Sequence, residues 1–512
     1  MNAADSNPPA TFSESQERNV IELLCLLAAI HVFVFSAASP FFNNVDEQIH
    51  FDLVVKYAQG YLPRSLEPVS AEAVPYAALY GSPEYVGIPT SFPDGQFPPP
   101  PWTQPMEKVR PALVARTAAW RAVINYEASQ PPLYYTLAAG WWQTGKALGF
   151  EGGHLLYWLR FLNIVFIALL VWLGYLAARL VFPERPFLRL GVPALLAFIP
   201  QSAFYSIQND VLSPLTFGLA FICLVKWLRA EVPGIRLGIL TGLALALTFL
   251  TKISNLPLLA VSGLAVLYKI VCLVRAGKSR AACPALVLLA VCAGLPMIAW
   301  LVWCKVVFGD FSGTAEKIRF LGWTHQPFGE WWHHPIFTPH GFWIFFSGKP
   351  GEFGLLPTFW QGEFLWHRDP LALPALDAVY TVSSLGFIGL AVIGLLSRSP
   401  AVSDPQRQAL WLGFGSVIAA VVFLGFVSIL YDFHDCYNPS REHPYFTCGR
   451  LMLGALIPFL LLYLYGLDCL LGRVRNPWVR PLVLVAIILF MVSSEIVIDW
   501  RLFPNGYNWF HM

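Results

Sequence analysis

The sequence predicts an all-α polytopic membrane protein, and three observations carry that reading. Hydrophobic residues make up 56% of the 512 positions, charged residues make up only 12%, and long apolar runs recur from end to end. A soluble domain carries about a quarter charged residues, so this chain cannot cover itself with polar surface. An apolar run of about 20 residues is long enough to cross a bilayer as a helix. The net charge of +2 comes with no dense basic block, which excludes nucleic acid as a partner. Internal repeats and low-complexity tracts are absent.

Taken in order, residues 1–19 are polar and read as a disordered cytoplasmic leader. The first apolar run, "VIELLCLLAAIHVFVFSAAS", ends in small residues like a secretory signal, but its length suits a retained anchor. Spans are predicted at about Val20–Ala38, Pro131–Leu148, Leu156–Val181, Leu188–Ser202, Val211–Leu228, Leu237–Leu250, Leu256–Val274, Pro284–Val307, Ala375–Leu396, Leu410–Leu430, Leu451–Leu471 and Pro481–Ile498. These fall into modules 20–282 and 283–512, a bundle of about 11–13 transmembrane helices. The basic loops "RAGKSRAA" and "GRVRNPWVR" mark the inner side. The long polar segments 39–130 and 309–373, and the loop 431–447, then lie outside. The parity conflicts: seven crossings precede "RAGKSRAA", where an even number is required. Either a segment within 131–181 fails to cross, or the first external loop hides another span.

The second external segment, "GWTHQPFGEWWHHPIFTPHGFWIFF", is rich in aromatics and poor in charge, as suits a loop partly embedded at the membrane interface. Its His325, His333, His334 and His340 match no trusted metal-ligand spacing, so no metal site is assigned. Seven of nine cysteines sit in or beside apolar runs, where cysteine packs as a small hydrophobe. Cys436 and Cys448 share an external polar loop and are either a disulfide or two free thiols.

Chemistry concentrates where spans meet the outer side. In "NVDEQIHFDLVVKYAQG", Val45, Ile49, Leu53 and Val54 recur at helical spacing, predicting an amphipathic helix along the membrane surface. It places Asp46 and His50 on one face, with Glu47 beside them. A carboxylate there can take a proton from a hydroxyl arriving from water. In "INYEASQPPLYY", helix initiation explains Pro131 and Pro132, but not Glu127 and Gln130. "FIPQSAFYSIQND" breaks two spans with Gln208, Asn209 and Asp210. Lys252, in "LTFLTKISNLPLL", is embedded between apolar runs, where a lysine costs about 2.5–3.5 kcal/mol to insert and usually has a partner. Arg450 opens a later span at its outer end. Two cations beside several carboxylates at the outer mouth of a helical bundle suit an anionic, lipid-borne substrate, with Lys252 and Arg450 gripping phosphate.

The arrangement resembles the GT-C superfamily of integral-membrane glycosyltransferases, closest to a bacterial branch catalogued as a domain of unknown function. The resemblance rests on "NVDEQIHFDLVVKYAQG", "EASQPPLYY", "LRFLNIV", "IPQSAFYSIQND", "LTKISNLPLL" and "CGRLMLGALIP", in family order over about Val20–Leu460. It implies transfer of a sugar from a polyprenyl-phosphate donor to a glycan, lipid or protein acceptor outside the cytoplasm. The expected setting is a bacterial inner membrane, and the expected chemistry is inverting and needs neither cofactor nor metal. Asp46 would be the base with Glu47 beside it, Lys252 and Arg450 would hold the lipid phosphate, and Glu127, Asp210 and His50 would be accessory. Gln130 stands where many relatives carry histidine, which bears on acceptor contacts. A flippase for a lipid-linked sugar would also need cations near phosphate, but transporters often show inverted repeats, and none is found. A polymerase or ligase of lipid-linked oligosaccharides shares the style of fold and uses a diphosphate donor.

Overall fold

The computed structural model describes residues 13–43, 46–83, 97–349, 352–363, 373–397, 402–436, 439–472 and 474–512. Almost all regular structure is helical, with two pairs of two-residue strands between loops. Helix α1 (Glu14–Ala38) starts at a capping box in which Ser13 and Gln16 satisfy each other's backbone N–H groups. After a loop come α2 (Glu47–Ala58), α3 (Ala73–Tyr80), α4 (Met106–Ala122) and α5 (Leu133–Ala147). The bundle continues through α6 (Gly152–Arg160), α7 (Leu162–Val181), α8 (Pro186–Ala197), α9 (Ser213–Arg229), α10 (Ile235–Thr251), α11 (Leu256–Arg275) and α12 (Ser279–Phe308). An outer segment holds α13 (Ala315–Phe320), α14 (Pro339–Ser347) and α15 (Leu355–Gln361), before α16 (Pro374–Leu396), α17 (Asp404–Leu430), α18 (Leu456–Leu471) and α19 (Val479–Asp499).

Among the described residues, nine helical segments are long and apolar enough to cross a membrane, and two apolar helices, α8 and α10, are shorter. The protein is therefore a multi-pass membrane protein. The predicted span Pro131–Leu148 is the exception. It forms only the 15-residue α5, which packs on α2 in the first external segment. Without it, four candidate spans and the two shorter apolar helices precede "RAGKSRAA", an even number whether the shorter pair is counted or left out. Helices α8 and α10 spend their missing turns as extended and 3-10 backbone at 198–212 and 252–255. Non-helical backbone at membrane depth is tolerated only where protein or a polar cavity surrounds it, and these breaks carry Asp210 and Lys252.

Burial separates the core from the rim. The windows of the spans containing α9 and α18 are 78% and 83% buried, against 17% for α12 and α19, which are mostly uncovered by the rest of the protein. Helices α10 and α12 approach closely because Gly238 and Gly242 lie against the backbone of Ala285 and Leu289, where a Cβ would meet carbonyl oxygens at 2.3 and 2.6 Å. Such small-residue stripes let membrane helices pack without a hydrophobic driving force.

The long segments between the spans are knitted together. Residues 67–68 (β1) pair antiparallel with 124–125 (β2), and residues 324–325 (β3) with 431–432 (β4). Helix α4 is mostly exposed, with only Val109 and Trp120 buried. Helix α2 corrects an expectation: it does not rest on the membrane surface, because Glu47 through Lys56 are all buried. Its polar face is covered too: Asp52 takes Lys56 at 2.8 Å, the Ser70 N–H at 2.7 Å and the Asn125 amide at 2.7 Å. On the second external segment Phe328, Trp332 and Phe337 are more than half exposed and touch one another. Cys436 and Cys448 are both free thiols.

Candidate functional site

The loop between α1 and α2 is set by a buried ion pair. Arg160, at the end of α6, donates from Nε (3.0 Å) and Nη2 (2.8 Å to each oxygen) to Glu47, and both side chains are 1% exposed or less. Its remaining donors reach the carbonyls of Ser36, Ser39 and Pro40, and its guanidinium lies 4.4 Å from the Phe41 ring centroid. The Glu47 carboxylate also accepts the backbone N–H groups of Phe42 (2.9 Å) and Ile207 (3.0 Å). One arginine thus ties the end of α1, the start of α2 and the 201–212 break to one point. Glu47 has no capacity left for a substrate.

Asp46, one residue earlier, is held differently. It caps α2 with φ 63° and ψ 5°, a left-handed conformation uncommon for a residue with a Cβ. That geometry turns its carboxylate away from Glu47 and toward Arg450, whose Nη2 lies 3.0 Å away, while the Tyr126 hydroxyl donates at 2.5 Å. Asp46 keeps 17% side-chain exposure and Arg450 keeps 9%. Burial would raise the Asp46 carboxyl, but Arg450 and then Lys317 more than offset it, holding it well below the usual carboxylate range.

Arg450 is the hub. Its Nη1 reaches Gln208 Oε1 at 3.1 Å and Asp210 at 3.7 Å, and its Nε faces Glu363 at 3.3 Å. Lys252, at the end of α10, is bidentate on Asp210 at 2.7 Å to each oxygen. Glu363 follows Gly362, whose φ of 97° only glycine adopts freely and whose missing Cβ leaves room for Ser202. Burial raises the Glu363 carboxyl above its usual range, and Arg450 offsets only part of the rise.

A second limb runs through the other predicted residues. Lys317 of α13 pairs with Glu127; Gln130 donates to Glu127 at 2.5 Å and accepts from Asn209 at 3.1 Å. Burial raises Glu127, but Lys317 brings its carboxyl below the usual range. His50 hydrogen-bonds the Tyr135 hydroxyl at 2.7 Å. Burial pushes the imidazole down to about 4, with Glu127 opposing and Lys252 adding to the shift, so it is neutral at pH 7.

The structure therefore brings Asp46, Lys252, Arg450, Glu127, Asp210, His50 and Gln130 into one connected cluster and sets Glu47 behind it. It adds Glu363, Lys317, Tyr126 and Tyr135, which sequence reasoning missed. Lys317 and Glu363 lie in the long segment between α12 and α16, where spacing along the chain has no meaning for contact. Arg160 had a usable signal, since an arginine entering an apolar run needs a partner. Chemically, the cluster offers an exposed-edge carboxylate next to a fixed arginine and lysine, each cation now balanced by carboxylates. An arriving anion would exchange places with those carboxylates. Of the four histidines of the second long polar segment, His325 lies on Tyr431, His333 faces Glu330, His334 donates to the Pro444 carbonyl at 2.9 Å, and His340 is exposed. Among the described residues no group of three or more histidine, cysteine or acidic side chains is placed to hold a metal ion.

Residues 29–431 match the family model described as a predicted membrane protein, DUF2142. The chain belongs to this family. No curated protein matches it. Among solved structures it is similar to the archaeal oligosaccharyltransferase AglB from Archaeoglobus fulgidus, in complex with an inhibitory peptide and a dolichol-phosphate. The identity is 13%, the TM-score is 0.45, and the match covers 97% of this chain and 57% of that one. An oligosaccharyltransferase of the same organism in its apo form aligns at 11% identity and a TM-score of 0.42, over 94% of this chain and 56% of that one. This DUF2142 chain thus spans little more than half the length of either structure. Both scores fall below 0.5, so the functional reading rests on the chain's own site.

Proposed function

We propose that the protein is a GT-C-type glycosyltransferase that moves a sugar from a polyprenyl-phosphate donor to an acceptor hydroxyl at the outer face of a bacterial cytoplasmic membrane. The observation that carries this reading is the direct pairing of Asp46 with Arg450 at the part-exposed edge of a buried cluster of paired charges, with Lys252 held on Asp210 alongside. The basic loops of the sequence lie at the opposite ends of the spans, which supports an outward-facing site.

In this mechanism the donor phosphate settles on Arg450 and Lys252, taking over from Asp46 and Asp210. The acceptor oxygen attacks the anomeric carbon from the face opposite the phosphate. The carbon–oxygen bond to phosphate breaks and its electron pair stays on the phosphate oxygen, where the fixed cations stabilise the growing charge. The acceptor proton passes to Asp46, and the configuration inverts. Tyr126, which hydrogen-bonds Asp46, orients the base; Glu47 acts through Arg160 as a positioning residue. The groups come from both modules: Asp46, Asp210 and Lys252 from 20–282, Lys317, Glu363 and Arg450 from 283–512. The two modules then form one catalytic unit.

The test is sugar release from radiolabelled polyprenyl-phosphate sugars by purified protein, wild type beside Asp46→Asn. Turnover by the wild type and its loss in the variant, with donor still bound, supports the assignment. Full activity in Asp46→Asn sinks the base. Movement of labelled lipid between leaflets by both proteins, with no turnover, would instead establish a flippase.

A further inference from the structure

A cavity of about 240 Å³, separate from the carboxylate cluster in its lining, lies between residues 326–335 and residues 429–444. The β3–β4 pairing, the Gln326 N–H to the Leu430 carbonyl (2.9 Å) and His334 to the Pro444 carbonyl (2.9 Å) lock its two walls together. Its lining is of two kinds. Tyr431 supplies a part-exposed aromatic ring, while Phe433 is buried under Trp323 and Phe446. Arg441 forks onto Asp432 at 2.7 to 3.1 Å, and Glu330 faces His333, giving planar polar groups at the mouth. Arg441 is 60% exposed, and its Nη1 has no protein acceptor among the described residues.

The short chain segment from Phe320 to Trp323 carries one aromatic ring packed toward the carboxylate cluster and one packed on the cavity's lining. Tyr126, which donates to Asp46, stacks on Phe320 with centroids 5.9 Å apart. Three residues on, Trp323 packs on Tyr431 (5.7 Å) and edge-on to Phe433 (4.8 Å). A pyranose ring has an apolar C–H face and a hydroxyl edge, which suit an aromatic wall and charged hydrogen-bonding groups respectively. The volume lies below the roughly 300–1,000 Å³ of pockets for drug-sized ligands, which fits a single ring of a longer chain. We propose that this cavity holds one sugar unit of a saccharide acceptor, whose continuation runs along the Trp323–Phe320–Tyr126 track to Asp46. The proposal rests on the glycosyl-transfer reading and narrows its acceptor to a glycan.

Binding is tested without donor or turnover, so its outcome is separate from that of the donor assay. Detergent-solubilised full chain is applied to an array of defined tetra- to hexasaccharides of hexose, deoxyhexose and N-acetylhexosamine units. The wild type and Arg319→Ala, a surface change outside the cavity, are expected to bind at least one glycan. Arg441→Ala and Tyr431→Ala, each checked for an unchanged melting temperature, are expected to bind it about tenfold more weakly, through loss of one charged hydrogen bond and of one ring contact respectively. If a variant melts early, Arg441→Lys replaces it, since lysine keeps the charge and loses the fork. A wild type that binds no saccharide on the array, or folded cavity variants that bind as it does, would overturn the proposal.

Discussion

Replacing Glu47 with glutamine separates support of the loop from chemistry, because Asp46 and Glu47 are adjacent but differently placed. The carboxylate of Glu47 is fully buried and accepts from Arg160 at 2.8 to 3.0 Å and from two backbone N–H groups. Glutamine keeps the shape but removes the charge and turns one acceptor into a donor that faces donors. Arg160 is then a buried cation without its counter-ion, and breaking one partner of a buried pair costs about 3–5 kcal/mol. Arg160→Met removes the same pair and also orphans the carbonyls of Ser36, Ser39 and Pro40. Its cost is expected to be at least as large. The assay is reversible unfolding in mixed micelles together with donor turnover at a temperature where each variant stays folded. Glu47→Gln should lose several kcal/mol of stability and recover part of its turnover on cooling. A variant as stable as wild type yet catalytically dead would refute the positioning role and make Glu47 a participant in the reaction.

Three further outcomes follow from the same geometry. Arg450→Lys cannot reach Asp46, Gln208 and Glu363 together, and losing charge-assisted bonds of about 1.5–3 kcal/mol should lower kcat/KM for donor by about 10- to 100-fold; an unchanged value would remove Arg450 from the phosphate site. Because Arg450 depresses the Asp46 carboxyl, the acid limb of kcat/KM should lie below the ordinary 3.8 in the wild type and move upward in Arg450→Gln. The corresponding stability is present above the unfolded-state value and is lost as pH falls through the folded one, and a limb that stays put argues against Asp46 as the titrating base. His50 titrates near 4 when folded against 6.5 otherwise, so stability should fall as pH drops from 6.5 toward 4, by up to roughly 3 kcal/mol at about 1.4 kcal/mol per unit; His50→Gln should flatten that slope in acid-unfolding curves.

Local chemistry along the chain determined much of this. Apolar runs long enough to cross a bilayer must become helices, because no water is available there to satisfy the backbone, so most spans were legible from composition. Polar residues that interrupt such runs are costly to bury, which is why Asp210, Lys252 and Arg450 stood out before any fold was known. Other features depended on contacts between distant segments. The run Pro131–Leu148 is apolar because it packs on α2, and apolar burial against protein leaves the same sequence signature as burial in lipid. Adjacent carboxylates at 46 and 47 look equivalent in sequence, yet a left-handed Asp46 sends one to Arg450 and leaves the other under Arg160. Lys317 and Glu363 entered the site only because the outer segments fold back over the bundle, and ion pairing across some 90 to 190 residues follows from where the helices pack, not from spacing along the chain.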